Sequence, residues 1–281
     1  MGLLGAHVSV AGGVYKAPER GKDISANAIQ IFTANQNQWF PKQPSEEDCE
    51  KFQIEMKNNR IQSCVSHASY LLNMGSPEMK KLNMTRKAFT TEIDRCNACD
   101  IPFVVFHPGA HMKSGEDGCL KRISESLNYV MNKRPDNQTT ILIENTAGQG
   151  TVVGYKFEHL AEIIDGVENK GKIGVCFDTQ HGFAAGYDLR TEEGWNETFQ
   201  KFDEIVALEW LKAFHINDSK KELGTRVDRH ESLGKGYLNE ETFKCLVNDE
   251  RFDGLPMLLE TPVKDYMEYK EELKYLRKLK K

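Results

Sequence analysis

Eight times along the 281 residues a short apolar run gives way to a longer amphipathic, charge-rich stretch, and no feature constrains the fold more. The runs lie at residues 3–8, 28–32, 62–66, 103–106, 140–143, 173–177, 211–216 and 257–259. Stretches with helical periodicity separate them, among them 46–58, 78–99, 120–132, 157–165, 192–208 and 265–278. Strand, crossover helix and strand, repeated, build a parallel sheet, and eight units are the number that closes it into a barrel. The expectation is therefore an α/β fold, a single-domain (β/α)8 TIM barrel over residues 1–281. A doubly wound open sheet is the runner-up, weakened because no glycine-rich phosphate fingerprint follows the first run.

Bulk properties exclude several classes. With 39% hydrophobic and 28% charged residues the chain is neither fibrous nor disordered, apart from a basic tail at 276–281. No run approaches the roughly 18 apolar residues of a membrane span, and the first residues carry no secretory pattern. Seven scattered cysteines argue against a disulfide scaffold, so a reducing cytoplasm is expected. A formal net charge of −5 is unusual for a nucleic-acid binder. That sum counts metal ligands as negative and omits their ions, so it does not decide the matter.

The chemistry stands at the ends of the runs. His67, His107, Glu144 and Asp178 follow the third to sixth runs, His215 lies near the end of the seventh, and Glu260 follows the eighth. In a barrel these positions meet at the carboxyl mouth, where active sites of this architecture lie. Asp178-Thr179-Gln180-His181 and Asp228-Arg229-His230 add His181, Asp228 and His230, making nine candidates. So many ionisable groups packed together are costly unless cations neutralise the carboxylates and accept the imidazole lone pairs. Mixed imidazole and carboxylate ligation suits zinc, with manganese or iron(II) as alternatives. At three to four protein ligands per ion, nine residues suffice for two or three ions, and multinuclear sites of this kind serve displacement at phosphorus.

Several stretches carry a resemblance: His107-Pro108-Gly109, Ile143-Glu144-Asn145-Thr146-Ala147-Gly148-Gln149-Gly150, Asp178-Thr179-Gln180-His181-Gly182-Phe183, His215-Ile216-Asn217-Asp218-Ser219-Lys220, Asp228-Arg229-His230-Glu231 and Leu259-Glu260-Thr261-Pro262. In this order, from Gly5-Ala6-His7-Val8-Ser9 onward, they resemble the endonuclease IV family of apurinic/apyrimidinic endonucleases. The resemblance implies a trinuclear zinc centre and cleavage of duplex DNA 5′ to an abasic site, leaving a 3′-hydroxyl, with 3′-phosphodiesterase activity beside it. Glu144 would bridge two ions, the first completed by His67 and His107, the second by Asp178, His215 and Glu260. His181, Asp228 and His230 would hold the third. Glu144 and Glu260 would be the catalytic carboxylates that orient the attacking water.

The resemblance also implies DNA contacts at Asn35, Gln36, Asn37, Gln38 and Trp39 after the second run, at Tyr70 and Leu71 after His67, and at Lys220. Amides with an aromatic and a leucine wedge suit entry into the minor groove. Asn37 stands where this family often has arginine, and Gln180 where cysteine is common. A monomer acting on abasic duplex DNA, with no membrane partner, is the implied state.

Two rival functions come from other classes. A metal-dependent sugar isomerase or epimerase on a similar barrel would need one or two ions, and the Asp228 and His230 pair exceeds that need. A non-catalytic zinc-stabilised DNA-binding protein would not need so many ligands at a barrel mouth. Cys96 and Cys99 lie in a helical stretch with no second pair and are expected to bind nothing. His159 is expected on a solvent-facing helix surface, His7 and His111 near the mouth, and Trp195 and Trp210 in packing roles.

Overall fold

The eight apolar runs become eight parallel strands that close on themselves, in a computed structural model that describes residues 2–281. The first half of the chain contains β1 (Leu3–His7), α1 (Ala17–Asp23), β2 (Ala28–Ile31), α2 (Glu46–Asn58), β3 (Ser63–His67), α3 (Met79–Ala98), β4 (Phe103–Phe106) and α4 (Glu116–Lys133). Next come β5 (Thr140–Glu144), α5 (Phe157–Asp165), β6 (Ile173–Asp178), α6 (Thr179–Ala185), α7 (Glu192–Ile205) and β7 (Leu211–Ile216). A short antiparallel pair, β8 (Asp218–Ser219) and β9 (His230–Glu231), precedes α8 (Glu240–Asn248), β10 (Pro256–Leu259) and α9 (Tyr269–Lys278). Closure comes from β1, which pairs with β10 through Leu4 and Met257 and with β2 through Gly5 and Ala28.

Two apolar layers hold the barrel. Ala28, Val65, Val105, Leu142, Cys176, Ala213 and Leu258 form one buried cluster, a layer drawn from seven strands with small side chains among them. The larger cluster packs strands against helices, with Phe199 and Phe214 each in ring contact with both Phe177 and Phe252. Gly5 is required by close approach, since a Cβ there would meet the Ala28 carbonyl oxygen at 1.8 Å. Helix starts follow local chemistry: the side chains of Ser45, Thr191 and Asn239 accept backbone N–H groups at the heads of α2, α7 and α8.

Helices α2 and α5 span the residues read from the sequence, whereas α1, α6 and α8 lie outside the stretches given bounds there. At seven residues each, α1 and α6 are too short for a periodicity window to register. Cys49 and Cys99 form a disulfide that joins α2 to the end of α3, a single bond and not the scaffold that the scattered cysteines argued against. The five other cysteines are free. His159 also departs from expectation: it is buried, its Nδ1 accepting the Gly154 N–H at 3.1 Å and its Nε2 lying 3.4 Å from Glu116. The loop before α5 folds back over that helix face and covers the ring. Trp195 packs in the core against Phe199, while Trp210 is partly buried beside it. Among the described residues, no helix is long and apolar enough to cross a membrane.

Candidate metal centre

All eight barrel strands deliver a polar or ionisable side chain to the carboxyl mouth. His7, Gln30, His67, Glu144, Asp178 and His215 lie within the ends of strands, and His107 and Glu260 directly follow β4 and β10. Glu144 is the hub, fully buried and ringed by four imidazoles. Its Oε2 lies 3.2 Å from His67 Nε2 and 3.0 Å from His107 Nε2. Its Oε1 lies 2.9 Å from His215 Nδ1 and 3.3 Å from His181 Nδ1. Glu260 joins through Oε2, 3.2 Å from His215 Nδ1.

Local structure explains the three-residue spacing of Asp178 and His181. Asp178 caps α6, and the N–H that its carboxylate accepts, at 2.8 Å, belongs to His181. Asp228 lies 3.4 Å from His181 Nε2 and 3.5 Å from His230 Nε2, so this loop closes the far side of the cluster. It is held there from two directions. The Asp228 N–H donates to Gln149 Oε1 at 2.9 Å, and Gln180 donates to the Val227 carbonyl at 3.0 Å.

Donor atoms fall into overlapping groups within 4.8 Å: His67, His107 and Glu144; Glu144, Asp178, His215 and Glu260; His67, His215 and Glu260; Asp178, His181 and His230. Eight of the nine candidates stand in these groups, and Asp228 adjoins the last. The hydrogen bonds on the outer ring nitrogens set the tautomers. His67 Nδ1 donates to the Ala68 carbonyl at 2.8 Å, which leaves the Nε2 lone pair facing Glu144. His181 Nδ1 donates to the Asn145 carbonyl at 2.9 Å, which leaves Nε2 facing Asp228. His230 Nε2 is buried with no hydrogen-bond partner.

Lone pairs thus face carboxylates across distances that call for a cation between them. Protons and cations compete for those lone pairs, and the field of the cluster favours both. Burial alone disfavours the Glu144 carboxylate, yet His215 and His107 outweigh it and hold the group well below the usual range. Burial likewise opposes charge on His181, but Asp178 and then Asp228 push it well above the ordinary value. Asp228 is held at about 2, where burial is overcome by His181 and His230. The centre stabilises added positive charge, and a donor set of this composition and convergence fits divalent ions of the zinc class.

Some contributors escaped the sequence reading. Asn145 brackets Asp178, accepting its N–H at 2.6 Å and donating to its carbonyl at 3.1 Å. Asn217 donates to Asp178 Oδ2 at 2.6 Å. The available signal was a polar side chain directly following, or breaking, an apolar strand run; Gln30 in Ala28-Ile29-Gln30-Ile31 is another. His7 lies at the centre, 3.8 Å from Glu260. His111 does not join the cluster; its backbone bonds Thr151 and Ser114, and its buried Nδ1 has no partner.

The residues assigned to DNA lie on two loops at the rim. Asn35, Asn37 and Gln38 are exposed, and Gln36 and Trp39 half-buried. Ser69 Oγ donates to the Gln36 carbonyl at 2.5 Å and ties this loop to the next. There Tyr70 and Leu71 are 62% and 39% exposed, an unusual display of apolar surface beside a polar cluster. The Tyr70 ring lies 5.4 Å from that of His67 and 5.8 Å from that of His107. Lys220 is exposed across the mouth, 3.7 Å from Glu231.

Comparison with known proteins agrees with this architecture. Residues 18–279 match the family described as xylose isomerase-like TIM barrel. Among solved structures the chain is similar to endonuclease IV from Thermus thermophilus, at 30% identity and a TM-score of 0.88, covering 99% of this chain and 98% of that one. It is also similar to a D-tagatose 3-epimerase-like protein, at 22% identity and a TM-score of 0.73, covering 98% of each. A third is the IOLI protein with a binding zinc atom, at 18% identity and a TM-score of 0.71, covering 99% of this chain and 96% of that one. The last two likenesses establish the shared fold. The chain belongs to the xylose isomerase-like TIM barrel family and, on its similarity to the Thermus enzyme over its whole length, to the endonuclease IV family within it.

Proposed function

We propose that this protein is an endonuclease of abasic DNA, hydrolysing the phosphodiester 5′ to the lesion to leave a 3′-hydroxyl, with 3′-phosphodiesterase activity from the same centre. The observation that carries the reading is the convergence of four overlapping donor groups, two of them sharing Glu144, at one barrel mouth. His67, His107 and Glu144 would hold one zinc ion, Glu144, Asp178, His215 and Glu260 a second, and His181, Asp228 and His230 a third. When bound, such ions supply Lewis acidity and a nucleophile at neutral pH.

The chain's own residues do the rest. Glu144 and Glu260 are carboxylates held in their charged form, suited to accept a hydrogen bond from the attacking water and aim it. An abasic nucleotide lacks the stacking and pairing that retain a normal one, so extruding it toward the mouth costs less than flipping an intact base. Tyr70 and Leu71, exposed beside the first donor set, would fill the vacated stack, and the amides of the 35–38 loop would contact the minor groove.

The test is a duplex with one tetrahydrofuran abasic analogue against its undamaged match. Selective nicking by zinc-loaded protein supports the reading; equal or no cleavage of both refutes it. A sugar isomerase or epimerase remains the second reading, favoured by the fold it shares with the epimerase-like protein. Turnover of a ketose with no nicking would select it.

A further inference from the structure

We infer that Gln30 is a positioning residue, a buried amide whose fixed polarity keeps His215 in the tautomer, and Glu260 in the orientation, that a metal ion requires. The inference rests on the metal-dependent reading above and deepens it, since Gln30 stands outside the donor groups and acts through two of their members.

Gln30 lies at the end of β2 and is fully buried. Its side chain makes three contacts there. Oε1 lies 2.7 Å from His215 Nε2, Nε2 donates to Glu260 Oε1, and Nε2 lies 3.1 Å from His7 Nδ1. An amide oxygen only accepts and its NH2 only donates. The orientation of the amide is not arbitrary, because the reverse would set its oxygen against the Glu260 carboxylate, two acceptors face to face. His215 must therefore donate from Nε2, so the lone pair it can offer an ion is the one on Nδ1.

That Nδ1 lies 2.9 Å from Glu144 Oε1 and 3.2 Å from Glu260 Oε2. Without Gln30 the neutral imidazole could carry its proton on Nδ1 and donate it to Glu144, which would fill the ion's place with an N–H. The amide blocks this escape. It also occupies Glu260 Oε1, so Oε2 is the oxygen left to face the same point. One neutral side chain thus keeps two acceptors, His215 Nδ1 and Glu260 Oε2, aimed at the point that Glu144 also faces, a role for which outer partners of metal-bound histidines are known in general.

Two variants of similar volume, Gln30→Met and Gln30→Leu, remove both hydrogen-bonding ends, and either serves if the other folds poorly. Three measurements are made on each: melting of the zinc-free protein, zinc per chain across a series of zinc buffers, and 15N shifts of His215 in zinc buffer that saturates the wild type. The expected result is a folded variant in which, at zinc levels that saturate the wild type, part of the His215 population carries Nδ1–H. One zinc per chain is released at about ten- to a hundredfold higher free zinc than in wild type, as for losses of such outer partners generally. A folded variant with the wild-type His215 tautomer and zinc retention overturns the role of Gln30 while leaving the metal centre standing. Wild-type protein that takes up no zinc at any concentration overturns the metal reading and this inference together.

Discussion

His215 Nδ1 lies 2.9 Å from Glu144 Oε1 although the two residues are 71 positions apart and belong to different strands. The contact joins two donor sets, because Glu144 also faces His67 and His107. Every property proposed for the centre depends on this sharing, and it sets the first expectation.

Glu144→Gln preserves the shape of the side chain and removes the charge around which four imidazoles gather. Cleavage of an abasic duplex should fall by several powers of ten, since two ions lose a common ligand. Single-turnover rates with zinc analysis on the same sample measure it. A near-normal rate would refute the assigned role.

Removing metal should destabilise the fold as well as silence it. Ions that bind only the folded chain stabilise it by about 2.7 kcal/mol per site at a free concentration of 100 times Kd. Chelated protein should therefore melt lower and recover on adding zinc. Calorimetry in zinc buffers that shows no dependence on free zinc would contradict the centre.

Tyr70→Ala should weaken the substrate interaction while sparing the ions. The ring is 62% exposed and meets both histidines at a tilt, without a hydrogen bond to either of them. KM for the abasic duplex is expected to rise about tenfold or more, on the scale of a lost base-stacking contact. Loss of bound zinc in this variant would place Tyr70 in the centre instead.

A buried ion pair supports the rim from below. Glu92 and Arg95 pair within α3, and Thr33 and Ser66 donate to Glu92 at 2.7 and 2.6 Å. Glu92→Ala leaves Arg95 buried without its counter-charge, which should cost about 3–5 kcal/mol. Urea unfolding reads this directly, and a loss under about 1 kcal/mol would mean that the pair is solvated.

His159 should give metal-free protein a pH-dependent stability. Burial lowers its pKa from 6.5, Glu116 opposing, and the folded ring must stay neutral to accept the Gly154 N–H. The unfolded chain takes up the proton first, so this contribution is complete above 6.5 and declines as pH falls below it. His159→Gln should flatten that part of the urea-derived stability curve. An unchanged slope would assign the dependence to other groups.

How far the sequence carried the reading differs from residue to residue. The barrel was legible because each strand is a compact apolar run and most helices are long enough to show their period, as α2 and α5 do. The candidate ligands were legible because an acid or histidine directly after an apolar run has one destination in a closed parallel sheet. His159 misled because its neighbours in sequence do not reveal the loop that folds over it. The Cys49–Cys99 bond was hidden for a similar reason, its partners lying 50 positions apart on separate helices.

The amino-acid sequence alone thus determined the alternation of strand and helix and the identity of nearly every group at the mouth, because both are written in local pattern. Only the tertiary structure decided which groups share Glu144, that Asp178 is bracketed by Asn145 and Asn217, and that Gln30 reaches His215 across 185 positions. The reason is physical: a side chain's chemistry is its own, but its tautomer, charge and direction are set by neighbours that only closure of the barrel brings within hydrogen-bonding distance.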